Sequence, residues 1–206
     1  MAVKVLITGF EPFLDFKTNP TQKMAKLLNK KERNGLLYAG RVLPVSYSET
    51  EDRLMEFIEE IKPELIIGMG LAPGRAKVSL EKIAINYKFS DEPDNSGRRG
   101  LGGKIDEKLE DGIFSLLNVE ELYKFLNRSH IPTEISLTAG GYLCNYAMFV
   151  IVREARRLGI KGGFVHFPAD TDLSTSLPNK SLPSMEMKTM VKAIEMIAQH
   201  EVPKRR

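Results

Sequence analysis

Apolar residues follow two rhythms along this chain. Short continuous runs such as Val3–Thr8 and Leu65–Met69 read as strands buried on both faces. Between them lie stretches where apolar positions recur every three or four residues, the spacing of one helix face. Ser48–Ile61 puts Leu54, Phe57, Ile58 and Ile61 on one face and acidic residues on the other, and Met185–His200 does the same with Met185, Met190, Ile194 and Ile197. Gln22–Leu28, Val119–Asn127 and Tyr142–Leu158 are the other helices the pattern predicts. Asn19 before Pro20-Thr21 reads as an N-cap with proline at N1, and Ser184 as the cap of the last helix. Further strands are expected at Gly40–Val45, closed by Pro44, at Val78–Tyr87 as a strand or extended segment, at Ile131–Leu137, and at Gly162–Pro168. Phe89–Gly103 and Ser174–Ser184 read as loops. Strands alternate with helices, with neither a repeat nor a low-complexity linker. That alternation predicts an α/β fold: one domain over 1–206, a three-layer α/β/α sandwich around a mostly parallel sheet.

Composition narrows the class without choosing a function. The 206 residues are 42% hydrophobic and 28% charged, enough for one sizeable core. Thirty Lys and Arg against 27 Asp and Glu leave a net charge of +3, so no general basic character argues for nucleic acid. Part of that charge is Lys204-Arg205-Arg206, expected to be a solvated tail. The first residues read as a strand without a signal peptide's cleavage site, and no apolar run approaches the roughly 18–20 residues of a membrane span. A single cysteine forms no intramolecular disulfide. Together these features predict a soluble, cytoplasmic protein with no membrane partner.

That cysteine is where chemistry enters. Glu134–Val152 begins as a short apolar run, turns on Gly140-Gly141 and continues as a helix with Cys144 in its first turns. A strand that delivers a thiol to a helix N-terminus makes a nucleophile, because the free amides there stabilise a thiolate and later an oxyanion. A free cysteine is also ordinarily a small buried hydrophobe, so Cys144 alone decides nothing. His166 ends the strand Gly162–Pro168, and Glu81 lies near the end of another. A thiolate, an imidazole that holds and returns its proton, and a carboxylate that fixes the imidazole would complete one another. His166 alone reads as readily as structural, and Glu81 as an exposed charge on an alternating strand. Phe10 and Phe13 lie just beyond the first strand, where open α/β sheets keep their ligands, or else pack into the core. The glycine-rich Gly68–Arg75 lacks the Lys-Ser/Thr of a phosphate loop and reads as a backbone-lined pocket wall.

Thr8–Phe13 (TGFEPF), Asn19-Pro20, Gly40–Val45, Gly70–Arg75 (GLAPGR), Glu81–Asn86, Asp94-Asn95, Ala139–Asn145 (AGGYLCN) and Gly163–Pro168 follow one another across nearly the whole chain. Taken together and in this order, these segments resemble the pyroglutamyl peptidase I (pyrrolidone-carboxylate peptidase) family of cysteine peptidases. The resemblance implies a cofactor-free, metal-free exopeptidase that removes N-terminal pyroglutamate from peptides by way of a thioester. By position it implies Cys144 as nucleophile, His166 as acid/base and Glu81 as the orienting acid. It further implies Phe10, Phe13 and Tyr142 as the aromatics of the lactam pocket, Leu71 as a backbone contact to the lactam, and a homotetramer. The ring of Phe10 is then expected beside the ligand rather than in the core. A small neutral lactam suits an apolar slot with a few backbone hydrogen bonds.

One segment departs from the family. Most members read Asp-Ala-Arg-Ile-Pro-Asp-Asn where this chain reads Phe89-Ser-Asp-Glu-Pro-Asp-Asn95, so Asp91 replaces an arginine. Arg75 or a loop arginine, Arg98 or Arg99, takes over that role, or the role is dispensable. Two rival functions remain at this point. A nucleoside-phosphorylase-like enzyme shares the layout and would use Gly68–Arg75 for an anion, and a non-catalytic binder of pyroglutamyl peptides would explain Asp91.

Overall fold

A computed structural model describes residues 2–177 and 179–202. The expectation for the tail Lys204–Arg206 lies outside the described residues. In chain order the elements are β1 (Val3–Phe10), α1 (Pro20–Leu28), β2 (Glu32–Arg33), β3 (Leu36–Leu43), α2 (Thr50–Ile61), β4 (Leu65–Leu71), β5 (Val78–Glu81), β6 (Ile83–Ile85), β7 (Phe89–Ser90), β8 (Gly100–Leu101), β9 (Gly112–Phe114), α3 (Val119–Arg128), β10 (Thr133–Ser136), α4 (Leu143–Leu158), β11 (Lys161–Phe167), β12 (Ala169–Asp170), α5 (Thr171–Ser176), β13 (Ser184–Met185) and α6 (Met187–Glu201).

Seven strands form the central sheet in the order β10-β5-β11-β4-β1-β3-β2. β11, β4, β1 and β3 run parallel; β5 pairs antiparallel with β11, and β10 parallel with β5. Alternate residues of the buried strands therefore face opposite helix layers. Val5, Ile7, Ile67, Met69, Val165 and Phe167 pack against α1, α3 and α6. Leu6, Ile66 and Phe164 pack against α2 and α4 on the other face. This is the expected three-layer sandwich with a mostly parallel sheet. Among the described residues no helix is long and apolar enough to cross a membrane.

Local chemistry explains most departures from the expected boundaries. Asn19 does cap α1, accepting from the Thr21 amide at 3.0 Å. The second strand of the sequence pattern begins at Leu36 and ends at Leu43, before Pro44. It is preceded by a hairpin whose Asn34-Gly35 turn has φ of 53° and 77° at its two central residues, the left-handed geometry for which Asn-Gly is the favoured pair. Val78–Tyr87 is two strands: the chain leaves the main sheet at Lys82, whose amide bonds Ser136 and whose carbonyl takes the Ser115 amide, and β6 pairs instead with β9. The strand expected at Ile131–Leu137 shortens to Thr133–Ser136. Phe89–Gly103 contains the short β7–β8 hairpin. Ser184 caps nothing; it lies in β13, and Glu186 is the residue before α6, without a side-chain cap bond.

Candidate active site

Cys144 is the second residue of α4, after the N-cap Tyr142, and is half-buried. An α-helix leaves its first amides without intrahelical partners, so the thiol sits among free N–H groups at the positive end of the helix. The next residue fixes that end in place. Asn145 is fully buried; its carboxamide accepts from the Ile85 amide at 3.0 Å and donates to the carbonyls of Ile85 and Tyr87 at 2.9 and 3.0 Å.

His166 reaches the same point from the sheet. On β4 it stands opposite Gly70, and Phe164 stands opposite Gly68. These glycines belong to the strand, which runs on to Leu71, so Gly68 to Leu71 are not a loop. Their missing side chains make room. A Cβ on Gly70 would lie 2.8 Å from Cys144 Sγ and 2.8 Å from His166 Nε2, and a Cβ on Gly68 would strike the Phe164 ring at 2.5 Å. Gly70 thus lets thiol and imidazole meet.

Glu81 ends β5 two residues beyond Ser79, the register partner of His166, which sets it on the same face as His166. His166 Nδ1 is 2.8 Å from Glu81 Oε1, with side chains only 5% and 0% exposed. The carboxylate is therefore not a surface charge. Arg75, 29% exposed at the exit of β4, also binds Oε1, at 2.7 Å. Arg98 and Arg99 are exposed in loop 89–103, as is Asp91. Burial alone would lower the His166 pKa. The charge and hydrogen bond of Cys144, followed by those of Glu81, outweigh it and raise His166 to about 9. Such an imidazole holds its proton at neutral pH.

An apolar pocket opens on Cys144 between Phe10, Phe13, Leu71 and Tyr142, with Asn19, Val45 and Leu143 completing its lining. The rings of Phe13 and Tyr142 lie 6.3 Å apart. Phe10 differs from expectation: it lines the pocket but is 3% exposed and also part of the α2/α4 core, so its ring serves both. Side-chain bonds to the backbone hold these loops. Glu11 Oε1 accepts from the Val45 amide at 3.0 Å and Asn95 Nδ2 at 2.8 Å, and Asn95 also donates to the Pro12 carbonyl. Tyr142 Oη donates to the Pro93 carbonyl at 2.9 Å. Asp94 accepts from the amides of Tyr47, Ser96 and Arg98. Burial opposes its charge, but these bonds and that of the Ser96 hydroxyl hold its carboxyl below the usual range.

Sequence reasoning named Cys144, His166 and Glu81 and, of the other lining residues, Phe10, Phe13, Leu71 and Tyr142, but not Asn19, Val45 or Leu143, nor Glu11 and Asn95 as supports. Their signal was available: each lies inside a quoted motif.

A half-buried thiol at a helix start, an imidazole against it and a buried carboxylate behind, within an α/β/α sandwich, have the geometry of a cysteine hydrolase. Known proteins make the class particular. The pyroglutamyl peptidase family matches residues 3–202. Pyrrolidone-carboxylate peptidase 1 of Saccharolobus solfataricus is 47% identical over 192 residues, 93% of this chain and 90% of that one. The structure of pyrrolidone carboxyl peptidase from Thermococcus litoralis superposes with a TM-score of 0.91 at 39% identity, covering 97% of this chain and 93% of that one. The crystal structure of a mutant pyrrolidone carboxyl peptidase from P. furiosus gives 0.93 at 35% identity, covering 97% and 98%. The chain belongs to the pyroglutamyl peptidase family. Family membership disfavours the nucleoside-phosphorylase and non-catalytic-binder readings.

Proposed function

We propose that Cys144, His166 and Glu81 carry out the family's reaction in this chain, a cysteine peptidase that removes N-terminal pyroglutamate from peptides. The Cys144 thiolate attacks the pyroglutamyl carbonyl, and the oxyanion is held by the free amides that open α4, donors worth about 3 kcal/mol in such sites. Imidazolium His166 gives its proton to the departing amine. Water, deprotonated by His166, then attacks the thioester and releases pyroglutamate and the free thiol. Glu81 orients the ring and stabilises its charged form. Phe10, Phe13 and Tyr142 flank the lactam, and Leu71 offers it backbone. No cofactor or metal is needed for these steps.

The observation that carries this reading is the meeting of thiol and imidazole over Gly70, with Glu81 2.8 Å behind the ring. The test is hydrolysis of a chromogenic pyroglutamyl amide beside the corresponding glutamyl amide, with Cys144→Ser as control. Turnover of the first alone, abolished in the variant, is expected: an apolar slot would strip water from the ammonium and carboxylate of glutamate at a cost of several kcal/mol. Equal rates on the two amides, or an active Cys144→Ser, would sink it.

Three finer statements belong to the same proposal. The chain is one domain over 1–206, supported by a single sheet that draws strands from Val3 to Phe167. It is cytoplasmic, in keeping with a sequence whose one thiol is left free. It is a homotetramer, in keeping with large apolar side chains left in solvent: Leu101 at 87% and Leu137 at 70% exposure. Light scattering that gave a monomer would remove the last statement.

A further inference from the structure

We propose that Arg75 is a positioning residue for the reaction, acting through Glu81 on His166 and through Thr138 on the approach to Cys144. The inference rests on the reading of Cys144, His166 and Glu81 as the reacting set. Arg75 Nη1 and His166 Nδ1 converge on one oxygen, Glu81 Oε1, at 2.7 and 2.8 Å. The other oxygen, Oε2, is buried and has no hydrogen-bond partner among the described residues. The whole charge of this carboxylate is thus answered at a single atom by two groups, and nothing at Oε2 duplicates Arg75.

The order of charges gives the contact its consequence. Thiolate, imidazolium, carboxylate and guanidinium alternate in sign and sum to zero. Without the guanidinium the resting set carries a net negative charge, in a buried place where a further negative charge must develop on the attacked carbonyl. A carboxylate facing only His166 would also be a better acceptor for the imidazolium proton, which the leaving amine needs. With Arg75 on the same oxygen the proton stays on His166. The second arm of the fork is mechanical. Nη2 donates to the Thr138 carbonyl at 3.2 Å, and Thr138 lies in the turn that leads through Gly140 and Gly141 to Cys144. One planar side chain therefore ties the acid to the segment that presents the nucleophile, a task for a guanidinium fork that a lysine ammonium does only in part.

The experiment compares Arg75→Gln, Arg75→Lys and Arg75→Ala with the parent on a chromogenic pyroglutamyl amide, with thermal midpoints measured alongside. Arg75→Gln is expected to lower kcat about tenfold or more with KM held within about twofold. The acid limb of its rate profile should move to higher pH, because removing a cation raises the pKa of every acid beside it. Arg75→Lys should recover part of kcat. Free guanidinium added to Arg75→Ala, at concentrations that leave the parent folded, should restore turnover. If Arg75→Gln does not fold, Arg75→Lys and the guanidinium rescue decide alone. An Arg75→Gln with parental kcat overturns the proposal. So does a folded variant whose loss comes with an unmoved acid limb and no rescue, since that is a structural tie only. An active parent with silent Arg75 variants leaves the peptidase reading intact, whereas an inactive parent overturns both.

Discussion

The two halves of the site are built in different ways. Cys144, His166 and Glu81 hang on a helix start and two adjacent strands of the central sheet, where each side chain is placed by register. The pocket that faces them takes Phe10 and Leu71 from strand ends but is otherwise made of loops: Phe13, the Val45 segment and Tyr142, joined by carboxylate and carboxamide bonds. Strand pairing fixes positions to within fractions of an ångström, which proton transfer and attack require. Loop aromatics need only present a flat apolar surface of the right width. The difference teaches where mutations should act: changes in the sheet-borne half on kcat, changes in the loop-borne half on KM.

The strongest way to break that contrast is at the proton. His166→Ala should remove nearly all turnover in a protein that still folds; residual kcat within about tenfold of the parent would show that His166 moves no proton. Glu81→Gln comes next. It keeps the shape of the acid and removes its charge, and in triads of this logic such a change costs up to about four orders of magnitude in kcat. The same variant has a pH signature. His166 stands at about 9 partly because of Glu81. The parent should thus lose activity on the alkaline side as pH passes about 9, and Glu81→Gln should bring that limb to lower pH. An unchanged limb with activity close to the parent's would leave only a Cys144–His166 pair.

Gly70→Ala tests the register itself. The new methyl would lie 2.8 Å from both Sγ and Nε2, so one group must move. A displacement of that size costs about a hundredfold in kcat, beside about 1–3 kcal/mol of overpacking in the core. A parental kcat would mean that thiol and imidazole do not meet over this residue. The smallest effect belongs to the loops. Glu11→Ala removes the one oxygen that accepts from both the Val45 amide and Asn95 and loosens one wall of the pocket. KM should rise by about threefold to tenfold with kcat little changed, as for a loss of uniform binding. A fall in kcat instead would erase the distinction between the halves.

The same division governs what could be read from sequence. The sheet and its helices were legible because burial on two faces writes continuous apolar runs and burial on one face writes a helical period. Leu65–Leu71, α2 and α4 are examples. The trio was legible as residue types near strand ends, and its assignment to one place came from the family motifs. What stayed hidden is set by long-range partners. Gly70 looked like a glycine beyond the strand's end because its reason, the ring of His166, lies almost a hundred residues away. Val78–Tyr87 looked continuous because the break at Lys82 is made by Ser136 and Ser115, not by a turn residue. Glu81 looked exposed on a polar face because its two partners, Arg75 and His166, come from either side of it in the chain.

The position of β5 sets the timing of assembly. β1, β3 and β4 can pair once the first seventy or so residues exist. β5 waits longer: its two neighbours in the sheet, β10 and β11, begin only at Thr133 and Lys161. A ribosome must deliver the chain through Phe167 before the slot for β5 has two walls. Until then Glu81 is a charge next to an unpaired strand, and long-range pairings of this kind are the slow ones in folding. The enzyme should therefore acquire its fold in an order that leaves its reactive centre to the end, so that no nascent chain that stops short of β11 carries a competent thiol.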